Sequence, residues 1–135
     1  MARNPTYSSA AKNAALNAAL DVLNGGFMDF YGGGSGQPLS PDVVVTDQIK
    51  AVRLNLNATA FAAAISGTKT ANAISTAVIV NTVDVRWYRL LKSDETPVHD
   101  GTVGTIDQIC DATVGTTAFA AGVTATCPSL VISIP

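Results

Sequence analysis

The sequence predicts a mainly β protein, an antiparallel β-sandwich or jelly roll with one N-terminal α-helix, in a single domain over residues 1–135. Three observations carry that expectation. Only residues 8–24 hold an apolar stripe at clear helical spacing. From residue 27 onward, segments alternate apolar and polar side chains at the period of a strand. The second half then breaks into short pieces at near-even spacing with turn residues between them, the pattern of sandwiches and jelly rolls. A chain of this length buries roughly 70% of its unfolded surface and needs neither metal nor disulfide to fold.

The helix comes first. Ser8 or Ser9 can cap it, and Leu16, Leu20 and Leu23 form one stripe, widened by Ala19 and Val22. Asn24-Gly25-Gly26 stops it, because glycine takes the left-handed conformation at no steric cost. Lys12, Asn13, Asn17 and Asp21 make the opposite, polar face. Such a helix packs over an end or edge of its own sheet, or serves as an arm that docks on a neighbouring subunit.

The β region, residues 27–135, opens with a strand from Phe27 to Tyr31. The run Gly32-Gly33-Gly34-Ser35-Gly36-Gln37-Pro38 lacks the Lys-Ser/Thr ending of a phosphate loop and is expected to be a flexible surface loop. Val43-Val44-Val45 could add a short strand. Gln48 to Asn57 alternates, with Val52, Leu54 and Leu56 on one face and Arg53, Asn55 and Asn57 on the other, while Ile49 stands apart. Ala58 to Gly67 is a loop or a single helical turn around Phe61. Ala71 to Val83 is uncharged and β-branched in its second half, which predicts a buried strand or two.

Asp84 to Lys92 is the strongest strand, with Val85, Trp87 and Leu91 alternating against Asp84, Arg86, Tyr88 and Leu90 and with Arg89 on the Trp87 face. Ser93-Asp94-Glu95-Thr96 turns it into a return strand, Val98 to Val103, so residues 84–103 form a hairpin. Short strands follow at 106–110, 112–114, 123–127 and 129–134, separated by Gly115 and an Ala120-Ala121-Gly122 turn.

Charged residues make up 13% of the chain, about half the roughly 25% of an ordinary domain. With net charge −2 and pI near 5.0, no basic field exists to hold a phosphate backbone, so nucleic acid is not an expected partner. Mean hydropathy is +0.30, leaving Thr, Ser, Asn and Ala to cover the surface, and part of such a surface is expected to lie against a partner. Ala112 to Pro135 has no charge and is long enough to span a bilayer. Gly115, Gly122, Pro128 and the repeated hydroxyls suit strands and turns instead, so no membrane is expected. Lys12, Asn13, Asn17 and Asp21 interrupt the Ala-rich start, so it forms no signal peptide and a cytoplasmic site of folding is expected.

Residues with chemical potential are scattered. His99 neighbours Asp100 in the one His-Asp pair, but adjacent strand residues point to opposite faces and no strained serine completes a triad. Asp94 with Glu95, and Asp107 with Asp111, sit in or beside turns, where aspartate bonds local backbone. Cys110 and Cys127 lack metal-ligand spacing and are expected as reduced, buried or half-buried thiols on neighbouring strands. Arg86 and Arg89 around Trp87 and Tyr88 form the single basic-aromatic cluster, with Trp87 expected in the core. No catalytic, cofactor-binding or metal-binding residue is assigned, and no enzyme activity is expected.

The order of pieces carries a resemblance. "AAKNAALNAALDVLNGG" leads into "FMDFYGG", then "VRLNLNATAFAAA", a central "VDVRWYRLLKSDETPVHDGTVGT" and a closing "TAFAAGVTATCPSLVISIP". Across roughly residues 10–134 this resembles a group of small tailed-bacteriophage virion proteins. The Gly33–Asp47 loop, Cys110 and the late Cys127-Pro128 depart from the group's pattern.

The resemblance implies a structural role, a capsid decoration or cement protein on the outer head surface. It would be made in the bacterial host cytoplasm and carried on the virion. Its implied partners are the major capsid protein and further copies of itself, as a homo-dimer or homo-trimer. The helix stripe, the glycine loop and apolar residues such as Phe61 would be candidate contacts. A tail- or fibre-associated protein or host-adhesion module is the alternative. A small enzyme or ligand carrier with a barrel interior is a third class.

Overall fold

The computed structural model describes residues 6–105 and 110–133. Helix α1 spans Ser9–Leu20 and runs on into a 3-10 turn, Asp21–Leu23. Ser8 caps it by accepting a hydrogen bond from the Ala11 N–H at 3.1 Å. Strands follow as β1 (Phe27–Gly32), β2 (Ile49–Asn55), β3 (Thr68–Thr70), β4 (Ala77–Val78), β5 (Val83–Leu91), β6 (Pro97–Gly104), β7 (Ala112–Thr113), β8 (Ala118–Phe119), β9 (Thr124–Ala125) and β10 (Ser129–Ser133). The chain is thus mainly β with one N-terminal helix.

The large sheet runs β2-β1-β5-β6-β7-β10-β3, with β8 added to the start of β5, while β4 and β9 form a separate ribbon. Neighbours are antiparallel except β6 and β7, which are parallel, so the sheet is mixed rather than wholly antiparallel. After β3 the chain passes from β10 to the far end of the order. Ala71 N–H bonds Leu130 O, whereas Ser75 N–H bonds Asn55 O and Val80 N–H bonds Ala51 O. The exposed edge of β2 is thereby covered by the 75–81 segment, which removes an open edge that could template aggregation.

The predicted alternation of β2 holds, with Val52, Leu54 and the following Leu56 all buried. On β1 and β5 the pattern is denser, because both faces are buried. Met28, Phe30, Tyr88 and Leu90 point into the apolar cluster, and Asp29, Tyr31, Trp87 and Arg89 are buried outside it. Opposite β1, Tyr31 pairs with Trp87 but Gly32 pairs with Val85, so Arg86 is the extra residue of a β-bulge. The bulge turns Val85 into the core and Trp87 to the other face, which corrects the expectation that they share one. Gly101 on β6 lies so close to Tyr88 that a Cβ would meet the phenol oxygen at 2.2 Å, so this site of the sheet admits only glycine.

Four segments differ from the sequence expectation. Val43-Val44-Val45 form no strand, and Val43 and Val44 are exposed. Between Ala71 and Val83 only Ile79 is buried and only β4 is regular, because this stretch wraps an edge instead of crossing the core. Strands β3 and β8 are additions that three and two residues could not announce by periodicity. The hairpin of residues 84–103 forms as β5 and β6, and the late short strands form as β7, β9 and β10. The predicted piece at 106–110 falls mostly outside the described residues.

Candidate functional site

The helix is fixed to its own chain by two kinds of contact. Leu16, Leu20 and Leu23 are buried in the common core as the stripe predicts, but Ala19 and Val22 are exposed and do not widen it. The polar residues beside the stripe do not face solvent freely. They satisfy the irregular 60–69 segment, whose backbone has few ladder partners. Asn13 Oδ1 accepts from Gly67 N–H at 2.8 Å, Asn17 Oδ1 from Ala64 N–H at 3.0 Å, and Asn24 Oδ1 from Ala60 N–H at 2.9 Å. Lys69, 1% exposed, donates to Asn17 Oδ1 at 2.6 Å and pairs with Asp21 at 2.9 Å. The leucine stripe is therefore used internally, and solvent meets Ala11, Ala14, Ala15, Ala18 and Ala19. Phe61, expected as an exposed contact, is 3% exposed because its backbone bridges Ala71 and its ring enters the core.

The second built feature lies on the outer face of the large sheet. Strand register places Arg53, Asp29, Arg89 and Asp100 side by side across β2, β1, β5 and β6. Signs alternate along this row. Arg53 grips Asp29 through Nε at 2.7 Å and Nη2 at 2.9 Å, and Arg89 grips Asp100 with the same two distances. Both are bidentate pairs, the strongest geometry for a guanidinium and a carboxylate. Arg53 also bonds Glu95 and lies 4.6 Å from the centroid of Phe27. The carboxylates beside them hold both guanidinium pKa values above the ordinary one, and the Arg53 contact holds Glu95 below its own.

This row anchors the loop between β1 and β2. Arg89 Nη1 donates to Val43 O at 2.9 Å, and Nη2 reaches Ser40 O at 3.5 Å. Beside the row, Tyr31 and Trp87 stack at 4.5 Å with planes 14° apart. Burial, then Asp29, pushes the Tyr31 phenol up to about 12. The glycine run is not a loose loop but a pinned turn. Gly33, Gly34 and Gly36 all have positive φ, Ser35 Oγ donates to Asp47 at 2.7 Å, and Gln48 Nε2 donates to Gly36 O at 2.7 Å.

The basic-aromatic cluster of the sequence is dispersed. Arg86 is exposed and paired with Asp84, Arg89 and Trp87 are buried on the outer face, and Tyr88 is in the core. His99 and Asp100 do point to opposite faces. Asp100 joins Arg89, whereas the His99 ring meets Tyr88, with Nε2 3.4 Å from the phenol oxygen. Burial holds the imidazole pKa below its ordinary value. Asp94 accepts from Thr96 N–H, the expected local role, Asp111 instead accepts from Thr102 N–H of β6, nine residues away, and Asp107 lies outside the described residues. Cys127 is buried and Cys110 half-buried, with no disulfide, and each sulfur lies 3.9 Å from an oxygen of Thr113. Burial pushes the Cys127 thiol up to about 11, away from reactivity.

Among the described residues, no group of three or more His, Cys, Asp or Glu could hold a metal, and no helix is long and apolar enough to cross a membrane. Comparison with protein-family models, with characterised proteins and with solved structures finds no match. What sequence reasoning missed is the pairing of Asp29 and Lys69 with distant partners. A lone buried Asp within "FMDFYGG" was the available signal for the first, because an Asp amid strand residues must meet a cation or donors.

Proposed function

We propose that this protein is a non-enzymatic structural virion protein, a decoration or cement protein that binds the outer surface of a tailed-phage head and stabilises contacts between major capsid proteins. One observation supports the reading beyond the sequence resemblance. Asp29, Lys69 and Arg89 are buried in internal ion pairs, while several large apolar side chains stand out on the surface of the β frame. Leu39 is 102% exposed, Val44 76%, Ile65 74% and Val80 66%. These residues are spread over several loops and edges, as contacts to more than one neighbour would require. Repetition over a shell would turn a modest affinity per contact into firm attachment.

The test is to add the purified chain to heads that lack it and to image the particles with gold-tagged antibody. Label over the head, with heads surviving heat or chelator better than before, is the expected result. Label on the tail would replace this reading with that of a tail or fibre protein. Absence of label from every particle would overturn the virion reading altogether.

A further inference from the structure

Lys69 is 1% exposed, yet it lines a hollow of about 250 Å³ at the seam between the helical segment and residues 59–69. Asn17, Asp21, Asn24, Thr59, Phe61 and Ala63 complete the wall. An ammonium carries three donors, and that of Lys69 uses two, on Asn17 Oδ1 and Asp21 Oδ1. The two asparagines are fixed in orientation by their own bonds. Asn17 Oδ1 also accepts from Ala64 N–H, and Asn24 Oδ1 accepts from Ala60 N–H, so the carbonyl side of each amide is committed to the chain. Among the described residues neither Nδ2 has a partner, and nor does the Thr59 hydroxyl. Trp87 Nε1 is the side-chain donor there that is both unpaired and sealed from solvent, so the half-buried Asn17 keeps its Nδ2 accessible.

The chemistry of the hollow selects its occupant. Asp21 neutralises Lys69, so an anion would compete with a carboxylate already in place. A cation would meet the ammonium and the amide hydrogens. An apolar group would cover donors without pairing them, which is costly. What fits is a neutral group that both accepts and donates, because Asp21 gives Oδ1 to Lys69 and keeps Oδ2 open as an acceptor beside the amide donors. A hydroxyl does both, and adjacent hydroxyls on a ring do so in pairs. Phe61 and Ala63 add carbon to the wall for the C–H face of such a ring. The volume lies below the roughly 300–1,000 Å³ of sites for drug-sized ligands, which limits the occupant to a single ring.

We propose that this hollow is a binding site for one neutral pyranose ring, whose hydroxyls accept from Asn17, Asn24 and Lys69 and donate to Asp21. That chemistry is shared by a free hexose and by the end residue of a polysaccharide. The site includes none of the exposed apolar residues Leu39, Val44, Ile65 and Val80, and it does not depend on attachment to heads.

Side-chain amide resonances make the test direct. The full-length protein labelled with nitrogen-15 is titrated with glucose, galactose and mannose, each as the free sugar and as its methyl α-glycoside. At least one is expected to shift the Asn17 and Asn24 Nδ2 resonances in a saturable way. Binding of a glycoside assigns the end of a polysaccharide, and binding of the free sugar alone assigns a soluble hexose. Acetate, phosphate and acetylglycine N-methylamide are expected to leave both resonances in place. Ala63→Leu fills the hollow from an exposed position without removing a hydrogen bond, and is expected to abolish the shifts. Asn24→Asp keeps the acceptor for Ala60 N–H but exchanges the donor for a second acceptor. Read at Asn17, it is expected to weaken sugar binding about tenfold. Both variants are expected to melt within a few degrees of the unaltered chain.

Amide resonances unmoved by every sugar overturn the proposal. A response to acetate or phosphate also overturns it, because the hollow would then be an anion site. A response to the capped amide without one to any sugar overturns it in favour of a peptide contact. Sugar binding that survives Ala63→Leu places the sugar elsewhere on the surface, and binding undiminished in Asn24→Asp removes the amide donor from the site; either result refutes the assignment. If Asn24→Asp fails to fold, Ala63→Leu alone decides.

Discussion

The two faces of the large sheet are buried to the same degree by opposite means. Inward, Met28, Phe30, Val52, Leu54 and Leu90 are between 0% and 2% exposed and belong to the apolar core cluster. Outward, Asp29 and Arg89 are 1% and 3% exposed, yet they are charged. The inner face gains from each methylene removed from water and tolerates a change of shape in proportion to its size. The outer face gains only while every charge keeps its partner, because removing one partner leaves the other ion buried and uncompensated. One sheet thus carries a graded layer and an all-or-none layer.

That contrast can be broken from its stronger side. Arg89→Ala leaves Asp100 buried without its cation and frees the Val43 carbonyl, so it should cost about 3–5 kcal/mol in denaturant unfolding at neutral pH. The double change Arg89→Met with Asp100→Leu should recover most of that loss, since neither charge is then stranded. On the inner face Leu54→Ala should cost about 2–5 kcal/mol, set by the cavity that remains. No second truncation should restore it. Rescue by paired removal on the outer face, and its absence on the inner one, is the signature; equal rescue on both faces would erase the distinction.

The helix seam sharpens the comparison at smaller scale. Asn17→Ala removes the acceptor shared by Ala64 N–H and the Lys69 ammonium, leaving two donors short of a partner. About 1–3 kcal/mol is expected, measured as a loss of stability to urea. Ala18→Ser on the exposed alanine face should change stability by less than about 0.5 kcal/mol. Equal effects at both positions would mean that the leucines alone hold the helix.

Local periodicity made part of this molecule legible. The helix limits, the β2 alternation and the 84–103 hairpin follow from side chains within a few residues of one another. Long-range pairing did not announce itself. The outer face of β1 and β5 is buried because the β1–β2 loop folds back over it and is held by Arg89, and no periodicity near Asp29 or Arg89 encodes that cover. The Arg86 bulge reverses a strand's facing by one residue, which a strict period of two cannot express. Asn13 and Asn17 look like a solvated face, and Asn24 like a helix stop, until the 60–69 segment supplies the N–H groups they accept from. Uncharged, β-branched sequence between Ala71 and Val83 suggested burial, yet an edge wrap uses the same residues with most of them exposed.

His99 gives the smallest and most selective way to probe the boundary between the two layers. Its ring meets Tyr88 edge-on at 5.6 Å inside the sheet, while its neighbour Asp100 belongs to the charged row outside. Burial lowers the imidazole pKa below the ordinary 6.5, and Asp111 and Asp100 only partly oppose that. Above 6.5 the ring is neutral in both folded and unfolded chains, so it adds no pH dependence. As pH falls through 6.5 the unfolded chain takes up the proton first, so folding stability declines until the folded ring also titrates. Each tenfold difference in proton affinity corresponds to about 1.4 kcal/mol. Unfolding free energy should therefore fall between about pH 7 and pH 5, and His99→Phe should flatten that window. Glu95, held low by Arg53, contributes a separate loss only as pH falls into the carboxylate range. A slope between pH 7 and 5 that survives His99→Phe would show that the imidazole is not the group whose burial is being titrated.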